Sequence, residues 1–170
     1  MLPSCCYIAG QYDIDQESIR LPWSREPDIE RFVGTFARDH GSRVPARLVS
    51  SAKSWLCHSQ ADRRARILPW GAGGDVAKVS PVQATAAYLE HLKSAWNHSV
   101  SDEAEYLEHQ FLIITVPASF DEVARDLTLE AARMAGLSEV ILLEEPLAAF
   151  YSWLISHEND WRRHISPGEI

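Results

Sequence analysis

The run from Phe111 to Leu154 constrains this chain most. Phe111 to Val116 is a continuous apolar stretch, the pattern of a parallel strand buried on both faces. Pro117 closes it. Ser119 and Glu122 form a capping box that predicts a helix start. Val123, Leu127, Ala131 and Met134 supply the core stripe of that helix. Arg133 suits its negative end, and Gly136 suits the residue just past it. Val140 to Leu143 reads as a second short buried strand, closed by Glu144, Glu145 and Pro146. Pro146 fits the first position of the next helix, with Leu147, Tyr151 and Leu154 facing the core. Phe111 to Leu143 has the length of one βαβ unit, with a right-handed crossover. The fold class is therefore α/β. Ligands of such sheets sit beyond the carboxyl ends of the strands, which is where Pro117, Glu144 and Glu145 lie.

Upstream, Cys5 to Ala9 and Ser18 to Leu21 read as two strands joined by a polar loop. Glu30 to Arg38 has apolar residues at helical spacing, with Gly34 inside. Arg47 to Leu56 follows Pro45 and predicts a further helix, with Lys53 off its apolar stripe. Ile67 to Trp70 precedes the cluster Gly71 to Gly74. That cluster lacks the Gly-Lys-Ser/Thr ending of a phosphate loop and reads as a flexible connection. Ser80, Pro81 and Gln83 make a capping box with proline at the first helical position. The helix they open has an apolar face of Val82, Thr85, Ala86, Leu89, Leu92 and Trp96, and ends near Asn97. Breaks near 71–79 and 97–109 allow one domain or two small lobes.

The net charge of −8 and pI near 5.3 oppose binding to a phosphate backbone. The basic run Asp62 to Arg66 reads as a solvated loop, so no nucleic acid is expected. Cys5, Cys6 and Cys57 are an odd set without a framework, which fits reduced thiols in the cytoplasm. The seven histidines show no metal-ligand spacing. Asn97-His98-Ser99 is read as an accidental acceptor match. No leader is visible, and no apolar run of about 18 residues occurs, so no membrane partner is expected. Three features could carry chemistry, each with a plain alternative. Lys53 could hold a phosphate or be an exposed helix lysine. Glu144 or Glu145 could act as a base or merely stabilise a helix start. Pro117 could be only a strand terminator.

Taken in order, these residues resemble the nucleotide-binding domain of the DnaK-like heat shock protein 70 chaperones. Thr115-Val116-Pro117-Ala118 is similar to that family's strand ending. Phe120 and Arg125 follow it at the family's spacing, and Ala135-Gly136-Leu137 is similar to its Ala-Gly-Leu turn. Glu145-Pro146, with Ala148 and Ala149, completes the pattern. Ala52-Lys53-Ser54-Trp55-Leu56 is a looser match to the segment around the family's catalytic lysine, and Leu2-Pro3-Ser4 to the chain after its first hairpin.

The resemblance implies a partial actin-like ATPase (ribonuclease H-like) fold. Residues 1–110 would be a peripheral, mixed α+β lobe with leading strands, and residues 111–170 a βαβα core piece of a larger ATPase domain. It implies ATP and magnesium as cofactors of a parent protein, and unfolded clients and co-chaperones as its partners in a stress response. Lys53 would touch the γ-phosphate. Glu145 would place the attacking water and a magnesium-bound water. Pro117 would be a switch, with Arg125 relaying its state. Leu147, Ser119 and Glu144 depart from the family pattern, and Glu144 is expected to face away from the cleft. The family's two glycine-rich phosphate hairpins do not occur among the eight glycines. The chain is therefore expected to be a piece that binds ATP weakly or not at all alone, and that self-associates through open sheet edges. A small-molecule kinase of the same superfold and a non-catalytic interaction module are the alternatives.

Overall fold

Two small sheets meet across a shared pair of helices in the computed structural model, which describes residues 2–10, 14, 20–24, 30–165 and 168. The first sheet is antiparallel, with β1 (Cys5–Ile8) between β2 (Arg31–Val33) and β3 (Leu48–Ser50). Cys6 pairs with both Val33 and Val49, and Tyr7 with both Phe32 and Leu48. Flanked on both edges, β1 buries Cys6, Tyr7 and Ile8.

The second sheet is the expected βαβ unit. Strands β4 (Leu112–Val116) and β5 (Val140–Glu144) run parallel, from Leu112 opposite Val140 to Val116 opposite Glu144. Helices α1 (Thr35–Gly41), α2 (Ala52–Leu56), α3 (Pro81–Ser99), α4 (Glu122–Met134) and α5 (Glu145–Ser156) complete the fold. No helix among the described residues is long and apolar enough to cross a membrane.

The capping box of α3 forms as expected. The Gln83 N–H donates to Ser80 Oγ at 3.1 Å, and the Ser80 N–H donates to Gln83 Oε1 at 2.9 Å. The helix then serves two cores. Ala84 and Tyr88 pack with Cys6, Ile8, Val49 and Leu68. Val82, Ala86 and Leu89 pack with Val116, Phe120, Ala124 and Leu127. The short α2 is divided in the same way, with Ala52 in the first core and Leu56 in the second. Beyond Leu89 the helix meets solvent: Leu92 and Trp96 are exposed. The Trp96 indole instead donates to the Glu105 carbonyl at 2.9 Å.

Several expectations are corrected. Glu30 to Arg38 is not one helix but β2 followed by α1. Gly34 separates them at φ 89°, a conformation that favours glycine, with the Leu2 side chain where a Cβ would stand. Arg47 to Leu56 is likewise divided into a turn, β3 and α2. Leu48 to Ser50 gain a partner in β1, and Ser51 turns the chain at φ 55°. A single non-glycine residue in that region is tolerated only where its surroundings impose it.

Asp121, not Ser119, caps α4, accepting from the Ala124 N–H at 2.7 Å. The buried face of α4 is Ala124, Leu127, Thr128, Ala131 and Ala132, while Val123 and Met134 are exposed. Small alanines there let α4 lie close against α3. The strands β4 and β5 are covered on one side only, so Phe111, Ile113 and Ile141 are exposed and the apolar run does not signal burial on both faces. The helix α5 starts at Glu145, puts Pro146 second, and buries no residue. Leu147 and Tyr151, expected in the core, are exposed. Of the expected strand Ser18 to Leu21, Ser18 and Ile19 lie outside the described residues, and Arg20 and Leu21 form no strand. The glycine cluster is not a loose linker, because Ala72 and Val76 beside it are core residues. The run Asp62 to Arg66 is also tied down: Arg63 grips Asp121 through two 3.0 Å hydrogen bonds, and Arg64 pairs with Glu130 at 2.7 Å. The Arg63 guanidinium, followed by the Ala124 N–H, holds the Asp121 carboxyl below its usual pKa.

Two predictions follow from these cores. The Tyr88 hydroxyl is buried with no hydrogen-bond partner among the described residues, and burial pushes its pKa up. Tyr88→Phe removes that desolvated group, and is expected to raise the unfolding free energy by about 1 kcal/mol in urea titrations. A comparable loss would show that the hydroxyl is satisfied. Burial also pushes the Cys6 thiol up to about 11 and raises that of Cys5, whereas Cys57 is exposed. A thiol reagent at neutral pH is expected to label Cys57 first, Cys5 more slowly, and Cys6 only on unfolding.

Candidate functional site

The carboxyl ends of β4 and β5 are level, because Val116 lies opposite Glu144. Pro117 and Glu145 are therefore the first residues past the sheet. The half-buried Pro117 accepts the Phe120 N–H on its carbonyl at 3.0 Å, which closes the turn into α4. Glu144 ends β5 and stands just before α5 without a capping hydrogen bond, and Glu145 is the first residue of that helix. A carboxylate at a helix amino end is favoured by the helix dipole.

The two adjacent carboxylates take different cations. Glu144 Oε1 accepts from Arg125 Nη2 at 2.6 Å. Glu145 Oε1 accepts from Lys53 Nζ, which arrives from α2 across 92 positions of sequence. Lys53 stands two residues past the left-handed Ser51, at the start of a helix whose ends are held in two cores. Half of each side chain in the Lys53–Glu145 pair is open to solvent, 45% and 46%. An ion pair so exposed contributes about 0–1 kcal/mol, so it aligns the two groups without locking them. Arg125 is better covered, with 25% of its side chain exposed.

The structure thus brings Lys53 and Glu145 together, puts Arg125 on the neighbouring Glu144, and leaves Pro117 at the end of the adjacent strand. The Arg125–Glu144 pair was not anticipated from the sequence, since 19 positions separate them and no spacing rule joins a helix to the end of the next strand. Chemically, the edge offers an ammonium that can hold a phosphate oxygen and a carboxylate that can orient water. No cluster of three or more His, Cys, Asp or Glu side chains placed to hold a metal occurs among the described residues. A cleft of about 280 Å³ lies elsewhere, near the end of β1, and none of these five residues lines it.

Comparison with known proteins bears on the same span. The family model described as Hsp70 protein matches residues 26–165, which include Lys53, Pro117, Arg125 and Glu145. The chain is similar to chaperone protein HscA of Salmonella newport (strain SL254) and of Salmonella heidelberg (strain SL476). It is 36% identical to each over 129 residues, or 69% of this chain and 20% of the relative. The chain therefore spans about a fifth of the length of these curated relatives. The parallel βαβ unit, the antiparallel sheet packed beside it and the match over residues 26–165 agree: the chain belongs to the Hsp70 family, with a partial actin-like ATPase fold.

Proposed function

We propose that this chain is part of the nucleotide-binding ATPase domain of a cytoplasmic, chaperone-like protein. Residues 1–110 supply the peripheral lobe and residues 111–170 the βαβα core piece. The observation that carries this reading is the contact between Lys53 and Glu145 at the carboxyl edge of the parallel strands. Sheets of this kind receive ligands at that edge.

The donor set fits part of a magnesium–triphosphate complex. Lys53 would hold the γ-phosphate as a point charge. Glu145 would orient the attacking water and reach a magnesium ion through a second water. Magnesium ATP, when bound, supplies the transferable phosphoryl group and a cation that spreads its developing charge. One ammonium without a cradle of backbone N–H groups holds phosphate weakly, so this chain alone is expected to bind nucleotide poorly. Among the described residues, each of β4 and β5 keeps an open edge in a two-stranded sheet, and such edges favour self-association. Pro117 and Arg125 would couple the site to the rest of the parent protein, and with it to clients and co-chaperones. Glu144 fixes Arg125 in a fully charged hydrogen bond, which makes that coupling stiffer than an uncharged partner would.

Two experiments test these roles in the intact ATPase. Lys53→Ala and Glu145→Ala are each expected to lower ATP turnover by about 10²-fold or more at saturating ATP. Unchanged turnover in both would remove the assignment. Glu144→Gln should leave turnover within about threefold while changing how nucleotide binding alters client release. A loss as large as that of Glu145→Ala would instead place Glu144 in the reaction.

A further inference from the structure

Away from the Lys53–Glu145 edge, the cleft of about 280 Å³ opens between the end of β1, the start of β2 and the segment leading into α3. Its wall carries three cations, Arg31, Arg66 and Lys78, against one carboxylate, Glu30. Among the described residues, none of these four side chains makes an ion pair or a side-chain hydrogen bond.

Three other arginines are paired. Arg47 reaches Asp75, Arg63 reaches Asp121, and Arg64 reaches Glu130. Arg31, Arg66 and Lys78 line one hollow without an ion-pair partner among the described residues, and an anion held there would be attracted by all three. The floor is apolar, with Ile8 and Val79 buried beneath the charges. Gln83 also lines the cleft. Its Oε1 is committed to the Ser80 N–H, which leaves the amide nitrogen as a further donor.

We propose that this cleft binds a small multivalent organic anion, a compound bearing phosphate or carboxylate groups and a short apolar part. The site is separate from the proposed nucleotide edge and does not depend on it. The volume is near the lower end of small-ligand pockets, about 300 Å³. The two arginines supply planar forks for paired hydrogen bonds to an oxyanion, and Lys78 adds a point charge.

The test is titration of the full chain with pyrophosphate and, separately, citrate at low salt, followed by amide chemical shifts and calorimetry. Saturable binding is expected for at least one of them, with shifts at Ala77 to Gln83, and preference for one assigns the anionic group as phosphate or carboxylate. Affinity should fall about tenfold or more in Arg66→Ala and in Lys78→Ala, and should weaken as salt rises. Both positions lie at the surface, and circular dichroism confirms that the variants fold. Lys53→Ala should leave this binding unchanged, which keeps it distinct from the nucleotide edge. No saturation with either anion up to about 10 mM, a dissociation constant too weak for a built site, would overturn the proposal. Equal affinity in the wild type and both cleft variants would overturn it as well.

Discussion

Helix α3 has two apolar sides, and each belongs to a different core. Ala84 and Tyr88 close over the antiparallel sheet, while Val82, Ala86 and Leu89 close over α4 and the end of β4. Each sheet has a face that a helix must cover. A three-stranded antiparallel sheet has one face to cover, and a two-stranded parallel pair is smaller still. Sharing one helix between them turns two marginal cores into a single packed body. The hydrogen bonds at Ser80 and Gln83 fix where this helix begins, and so which residues point each way.

The same division explains how α2 can hold Lys53 in place despite its five residues. A helix that short has little stability of its own. It is held because Ala52 is buried at one end in the first core and Leu56 at the other end in the second. Lys53 has no freedom to drift along the molecule, and its ammonium is delivered to Glu145 by packing rather than by the ion pair. The geometry runs from Ser80 to α3, from α3 to the two cores, and from the cores to the Lys53–Glu145 contact.

What could be read in the sequence follows from this order of causes. The start of α3 and the βαβ unit were legible because their signals are local: a capping box, a proline at the first turn, apolar runs closed by prolines. The boundaries between β2 and α1 and between β3 and α2 were not. Leu48 to Ser50 are extended because β1 lies beside them, and Ser51 turns at positive φ without being glycine. The stripe on α4 was displaced because alanines, which carry little weight in a hydrophobic pattern, are the side that α3 approaches. Lys53 and Glu145 could each be singled out, but their contact spans 92 positions and depends on both cores, so no spacing in the chain announces it. The cleft beyond β1 was invisible for the same reason, since Arg31, Arg66 and Lys78 are distant in sequence and become neighbours only through the fold.

Consecutive glutamates at the end of β5 would ordinarily work against an anionic ligand. Their charges add, and a like charge nearby favours the neutral form of either group. The structure resolves this by geometry. Glu144 is the last residue of a strand and Glu145 the first of a helix, so the backbone changes direction between them and their carboxylates meet different cations. Glu144 is matched by the better covered Arg125, and its charge is offset by that guanidinium. Glu145 is matched by a lysine half open to solvent, in a pair worth little in itself. A terminal phosphate group carries more charge than a carboxylate and, in the proposed site, would compete for that ammonium. The carboxylate so displaced would then be left at the sheet edge with water as its partner. The difference in exposure between the two pairs is what separates a fixed contact from an exchangeable one.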